Sequence, residues 1–135
     1  METIIAKKQN DFALLRERFG LALLVLFGSH ARGDAHRQSD CDIAYFSDPP
    51  LSLDGESKLV LELMQIFGTE AVDMASLRRA PPLLFYRIMK EGRALYEDEP
   101  GRFDAFYLYA LRVHEEAAPL FALRADYLRD RIGAL

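Results

Sequence analysis

Apolar residues along the chain follow two patterns, short continuous runs and stripes at helical spacing. Continuous runs of this length are typical of strands that a sheet buries on both faces. They predict strands at 21–27, 41–46 and 71–75, with an edge strand at 94–96. The helically spaced stripes predict helices at 3–18, at 57–67, between Pro81 and Gly92, and from residue 100 onward. Elements in this order predict an α/β (α+β) fold, a small mixed β-sheet flanked by helices.

Glycine and proline residues predict where these elements end. Gly20, Gly68 and Gly92 each follow a helical stripe and are expected to end it. Residues 30–39 are polar and contain glycine, which favours a short helical turn followed by a loop. Pro119 interrupts the last stripe, so we expect it to divide that segment into two helices or to bend it.

The size and composition favour one globular domain over residues 1–135. Its core is expected at about 10–97 and its C-terminal helices at about 100–132. The net charge of −4 argues against a dedicated nucleic-acid-binding protein, which usually carries a basic excess. No apolar stretch is long enough to span a bilayer, and the first residues lack the apolar segment of a signal peptide. The expectation is a cytoplasmic protein that binds neither membrane nor nucleic acid.

Two aspartates stand one residue apart where the second apolar run begins, in Asp40-Cys41-Asp42. On a strand, residues i and i+2 point to the same face, so both carboxylates should converge while Cys41 points into the core. Adjacent carboxylates repel each other unless a cation lies between them. Mg2+ suits this position because it prefers oxygen ligands and keeps positions for phosphates and water. The alternative is that Asp40 merely ends a loop and Asp42 is a partly exposed strand residue.

Gly28 and Ser29 close the first apolar run. A glycine after a buried strand lets a phosphate approach the backbone closely. If a helical turn begins there, its free N–H groups form an anion site, to which Ser29 adds a hydroxyl and Arg32 a cationic fork. These features predict that the three residues bind phosphate. The alternative is an ordinary strand-to-turn glycine followed by Ser29 as a helix N-cap.

Asp73 lies alone in an apolar run, between Val72 and Met74. Burying an unpaired carboxylate is costly. A position beside Asp40 and Asp42 would explain it, because a third acid can orient a metal ion or deprotonate an attacking hydroxyl. The sequence therefore predicts a catalytic role for Asp73, and the alternative is an exposed position on an edge strand.

These motifs resemble a known signature. The Gly-Ser pair at 28–29, a ten-residue spacer and Asp-x-Asp at 40–42 resemble the DNA polymerase β-like nucleotidyltransferase superfamily. The short chain, Val72-Asp73-Met74 and Glu91-Gly92-Arg93-Ala94-Leu95-Tyr96 resemble the minimal nucleotidyltransferases (MNT), which are commonly the antitoxins of HEPN/MNT toxin–antitoxin pairs. The resemblance covers about residues 10–97.

The resemblance implies a polymerase β-like fold and Mg2+-dependent transfer of AMP from ATP. It implies that Asp40, Asp42 and Asp73 bind the metal and act in catalysis, and that Gly28 and Ser29 hold the triphosphate. In antitoxins of this kind (type VII), AMP is transferred to a tyrosine of the HEPN ribonuclease toxin and silences it. The implied partner is therefore an HEPN toxin, and the implied co-substrate is ATP.

Two other functions remain open at this stage. A small-molecule nucleotidyltransferase, such as those acting on aminoglycosides, usually carries an extra substrate domain, and only about 35 residues follow the core here. A non-catalytic module would neutralise a toxin by contact alone, although the intact acids argue against this.

The final helical segment has an aromatic-rich face. We expect this face to pack on its own domain, and the alternative is a partner-binding surface, because aromatic residues are enriched at interface hot spots. The face consists of Phe103, Phe106, Tyr107, Tyr109 and Phe121.

Overall fold

The computed structural model describes residues 2–33 and 40–133. Within these ranges, helices and strands alternate along most of the chain. In chain order they are α1 (Glu2–Lys7), α2 (Gln9–Phe19), β1 (Leu21–Phe27), α3 (Gly28–Arg32), β2 (Cys41–Ser47), α4 (Leu53–Phe67), β3 (Val72–Ser76), α5 (Pro82–Glu91), β4 (Arg93–Glu97) and α6 (Arg102–Gly133).

The strands form a mixed sheet in the order β3-β2-β1-β4. Strand β1 is antiparallel to both β2 and β4, whereas β2 and β3 are parallel. The two longest strands therefore lie at the centre, and β3 and β4 lie at the edges. The predicted mixed sheet and the predicted edge position of the last strand are both confirmed.

Helices cover both faces of the sheet, which explains why β1 is apolar at successive positions. Leu24 packs with Phe12 of α2 in one core cluster. Val25 faces the other way and packs with Ile88 of α5 and Ala110 of α6. Burying each large apolar side chain contributes about 1.5–3 kcal/mol, so both clusters support the central strand.

Two predicted helices differ from the observed helices in their first residues. The first predicted helix is divided after Lys7, and the Gln9 side chain there donates hydrogen bonds to the carbonyl oxygens of Ile5 and Leu95. Helix α4 begins four residues before the predicted position 57. Ser52 is its N-cap, and the Ser52 hydroxyl accepts a 3.1 Å hydrogen bond from the Gly55 N–H. Such a cap satisfies a backbone donor that would otherwise lack an intrahelical partner.

Of the two outcomes expected at Pro119, the division into two helices is wrong, because α6 continues through this residue; the bend stays a prediction. Proline inside a helix costs about 3 kcal/mol, yet alanine, leucine, glutamate and arginine on both sides are strong helix formers. No helix among the described residues combines the length and the apolar character that crossing a bilayer requires.

The first part of α6 packs on the sheet, as predicted for its aromatic face. Phe103, Phe106 and Tyr107 are partly buried against the core cluster that contains Ala110. Tyr109 is 51 % exposed and contacts Phe85 edge to face, so it lies at the border of this packing. The side chain of Phe121 lies outside the described part of the chain.

Candidate active site

The predicted site residues meet at one end of the sheet, where β1 ends and β2 and β3 begin. In the strand register, Asp42 lies between Phe27 of β1 and Asp73 of β3. Residues opposite one another on adjacent strands point to the same face, so Asp42 and Asp73 are neighbours across the strand pair. Asp40 directly precedes β2, two residues from Asp42 and exposed.

The residue between the two aspartates points to the opposite face, as predicted. Cys41 is only 5 % exposed and belongs to the core cluster that contains Phe12. Burial, and then the charge of Asp42, raise the pKa of the Cys41 thiol to about 11. The thiol is therefore neutral near pH 7 and behaves as a small apolar core side chain.

The charges of the acidic residues act on one another. Burial, followed by the charges of Asp73 and Asp40, raises the pKa of the Asp42 carboxyl, while His30 and Arg32 lower it. Like charges raise a carboxyl pKa only when they lie near it. The structure therefore brings the three predicted acids into one electrostatic group centred on Asp42.

The sequence argument for Asp73 assumed that its carboxylate is buried, and the structure shows that this assumption is wrong. Asp73 is exposed on edge strand β3, so it bears no burial cost. The alternative drawn from the sequence, an exposed edge position, is correct as a description of its environment. Its proximity to Asp42 follows from the parallel register instead.

Gly28 lies directly against this acidic group. Its backbone is left-handed, with φ 71°, a conformation that favours glycine. A Cβ atom at this position would lie 3.0 Å from Cγ of Asp42 and closer still to its Oδ2. The glycine therefore allows the Asp42 carboxylate to approach the backbone at the start of α3.

Ser29 lies in the first turn of α3 and is half-buried. The sequence alternative of Ser29 as an N-cap is wrong, because the N-cap position is Phe27, which makes no side-chain capping bond. The first backbone N–H groups of this turn thus lack a side-chain cap. Such N–H groups are the donors that bind anions at the start of a helical turn.

Arg32 ends α3 and is exposed. Its Nη1 donates to Oε2 of Glu91, at the end of α5, over 3.4 Å. Because Arg32 also lowers the pKa of Asp42, its guanidinium lies within electrostatic reach of the acids. Arg32 is therefore at the candidate site, and it pairs with Glu91, which sequence analysis did not predict.

Sequence analysis also missed His30. Its half-buried side chain follows Ser29, and its charge helps to lower the pKa of Asp42. The position of His30 directly after the Gly-Ser pair could have indicated it, because a residue in the first turn of α3 lies close to any ligand bound at the start of that turn.

The described residues contain no group of three His, Cys, Asp or Glu side chains close enough together to hold a metal ion as they stand. Three mutually repelling carboxylates are expected to remain apart when no cation lies between them. Asp40 and Asp73 are exposed, so their side chains have room to rotate toward Asp42.

One cavity in the described part of the chain lies away from this group. It has a volume of about 560 Å³ and lies between the end of β2 and helices α5 and α6. Phe46, Phe85 and Phe106 are among its lining residues, and the three acids are not.

Comparisons with known proteins agree with this geometry. A protein-family model described as Polymerase beta, Nucleotidyltransferase matches residues 12–100. Protein adenylyltransferase MntA of Aphanizomenon flos-aquae is 28 % identical in an alignment of 114 positions that covers 77 % of this chain and 75 % of the relative. The protein of the same name from Shewanella oneidensis is 33 % identical over 84 residues, which are 62 % of this chain and 60 % of that protein.

A solved structure has the same fold. It is a crystal structure of a toxin–antitoxin with AMP-PNP, 27 % identical, with a TM-score of 0.71 over 87 % of this chain and 94 % of the matched chain. The family model covers both motifs and all three acids. The chain, with its Gly-Ser turn facing Asp42 and its neighbouring Asp73, therefore belongs to the Polymerase beta nucleotidyltransferase family.

Proposed function

We propose that this protein is an antitoxin that transfers AMP from ATP to a tyrosine of an HEPN ribonuclease toxin and thereby inactivates it. The observation that carries the proposal is the register that sets Asp42 beside Asp73, with Gly28 against the Asp42 carboxylate. This arrangement joins a phosphate-binding turn to acids suited to activating a hydroxyl. A cytoplasmic location, expected from the sequence, is part of the proposal.

Two comparisons support the choice of substrate and acceptor. Both curated relatives are named protein adenylyltransferases, which implies ATP as the donor and a protein as the acceptor. The toxin–antitoxin structure contains AMP-PNP, an ATP analogue. The identification of the toxin as an HEPN protein rests on the MNT sequence motifs.

The acidic group fits a divalent cation. Asp42 lies beside two further carboxylates that disfavour its ionised form, and a cation would relieve this repulsion. Asp40, Asp42 and Asp73 would hold Mg2+, which supplies charge neutralisation at the transferred phosphate. These three carboxylates offer only oxygen atoms as ligands, and Mg2+ prefers oxygen ligands.

The chain's own residues perform the remaining tasks. The uncapped N–H groups of α3, the Ser29 hydroxyl and the Arg32 guanidinium hold the β- and γ-phosphates. Asp73 accepts the proton of the attacking tyrosine hydroxyl. The tyrosine oxygen then bonds to the α-phosphorus, the bond to the bridging oxygen breaks, and pyrophosphate leaves. Most of the rate enhancement comes from positioning and electrostatic stabilisation.

Intact-mass spectrometry tests the proposal directly. An HEPN toxin, taken from a neighbouring reading frame where one is found, is incubated with the purified protein, ATP and Mg2+, and peptide mapping locates any added AMP. We expect an AMP adduct on a toxin tyrosine, lost with Asp42→Asn or with EDTA. Asp54→Asn is the matched control, because this exposed acid on α4 lies outside the site.

Other outcomes would replace the proposal. Tight toxin binding without an adduct would favour a non-catalytic module. AMP transfer to an aminoglycoside but not to the toxin would favour a small-molecule nucleotidyltransferase. Either result would contradict protein adenylylation, while the family membership would stand.

A further inference from the structure

Helices α3 and α5 end side by side at the candidate active site. The Arg32 guanidinium at the end of α3 bonds to the Glu91 carboxylate at the end of α5. Their side chains are 44 % and 34 % exposed, so solvent screens the pair only in part. Neither the Gly-Ser motif nor the acidic group includes Glu91, although it opens the Glu91–Tyr96 motif noted in the sequence.

The position of Glu91 is set by tight packing at the next residue. A Cβ atom on Gly92 would overlap the Ile88 carbonyl oxygen and the Val25 side chain, so only glycine lets the end of α5 approach β1 so closely. The Gly92 N–H also bonds to the Ile88 oxygen over 2.8 Å. These contacts hold the Glu91 backbone at a fixed place on the sheet.

Arg32 lies on the other helix of this pair. It is the last residue of a five-residue helix and precedes Gly33, whose φ is 81°. An arginine side chain has many rotamers and loses rotamer freedom when a ligand orders it. The bond to Glu91 holds the long Arg32 side chain at the end of α3, next to the phosphate-binding turn.

We infer that Glu91 is a positioning residue that holds the Arg32 guanidinium ready to bind the triphosphate. The inference rests on the proposed function, because it requires ATP to bind at the Gly28–Ser29 turn. Glu91 itself touches neither ATP nor the acceptor. Preorganising Arg32 lowers the cost of ordering it when ATP binds.

The expected consequence is a change in ATP affinity with little change in kcat. Glu91→Gln should raise KM for ATP and Kd for α,β-methylene ATP by about threefold, the size expected of a partly exposed ion pair. The methylene analogue cannot transfer AMP, so its Kd by calorimetry reports binding without an acceptor. Thermal denaturation checks that the variant remains folded.

A double-mutant cycle separates positioning from a general electrostatic effect. If Glu91 acts through Arg32, Glu91→Gln should have no further effect on Kd in an Arg32→Ala background. Glu62→Gln is the matched control, because Glu62 pairs with Arg18 at a similar side-chain exposure of 31 % but between α2 and α4. We expect its Kd to equal that of the wild type.

Several results would overturn the inference. Unchanged or tighter binding of the analogue by Glu91→Gln would do so, as would an equal effect in the Arg32→Ala background. Wild-type binding of the analogue without AMP transfer to the toxin would contradict the proposed function alone, and the cycle would still test Glu91. A wild-type protein that does not bind the analogue would contradict both.

Discussion

Replacing Gly28 by alanine should lower AMP transfer by about 100-fold while leaving the protein folded. The residue has φ 71° and lies against the Asp42 carboxylate, so the added methyl group has two separate effects. It strains the backbone, and it displaces a carboxylate at the centre of the acidic group. The first effect lowers stability, and the second lowers activity.

The two magnitudes differ. A left-handed backbone costs an alanine about 1–2 kcal/mol relative to glycine. The new Cβ would lie 3.0 Å from Cγ of Asp42 and closer still to Oδ2, at the end of a side chain that can rotate. The carboxylate must retreat by about 1 Å, and a misplacement of that size in an active site costs about 100-fold in rate.

Gly68→Ala provides the matched control. Gly68 has φ 67°, nearly the same as Gly28, but a Cβ atom there would meet nothing within 4 Å. Both variants should lose about 1–2 kcal/mol in urea denaturation. Only Gly28→Ala should lose transfer, measured as the initial rate of AMP incorporation into the toxin at saturating ATP.

The comparison can refute the reasoning in two ways. If Gly28→Ala transfers AMP at the rate of Gly68→Ala, the close approach of Gly28 to Asp42 is unimportant for catalysis. If Gly28→Ala unfolds while Gly68→Ala does not, the carboxylate cannot move as argued. In the first case, a crystal structure of the folded Gly28→Ala variant would show whether Asp42 kept its position.

Three further predictions concern charge and stability. Asp42→Asn should lower transfer by at least about 100-fold yet raise the thermal midpoint at pH 7, because the raised pKa of Asp42 means that ionised Asp42 destabilises the folded protein above that pKa. In a calorimetric pH series the gain in midpoint should shrink as the pH falls through the pKa of Asp42, and a lower midpoint at pH 7 would contradict the prediction. Glu56 accepts hydrogen bonds from Arg79 and from Tyr45, which outweigh its burial and lower its pKa, so the ionised carboxylate should stabilise the fold above the ordinary pKa of 4.5 and this stabilisation should be lost as the pH falls below it. In urea denaturation, the free energy of unfolding of Glu56→Gln should therefore fall less at acid pH than that of the wild type. Ending the chain after Ala117 should change the free energy of unfolding by less than about 0.5 kcal/mol, because the described side chains beyond it are exposed, whereas ending it before α6 should unfold the protein by circular dichroism.

Several elements could be predicted from sequence because their pattern is local. The bounds of β1 agree with the prediction because helices on both faces require an unbroken apolar run. The start of α4 was missed because Ser52 caps a turn that contains Gly55, a residue typical of loops. The division predicted as one outcome at Pro119 does not occur, because the strong helix formers around this residue keep α6 continuous.

The sequence by itself determined the chemistry of this protein: a Gly-Ser turn, the acids of Asp40-Cys41-Asp42, and the family signature that links them. These features are readable because each lies within a few residues, where strand and turn geometry decide which groups meet. Only the tertiary structure decided which distant residues join them. The parallel register of β2 and β3 brings Asp73 beside Asp42, and the packing of Gly92 on β1 brings Glu91 to Arg32, 59 residues away in the chain. Such contacts depend on how separate elements pack: the isolated acid in an apolar run pointed to Asp73, but no local pattern pointed to the pairing of Glu91 with Arg32.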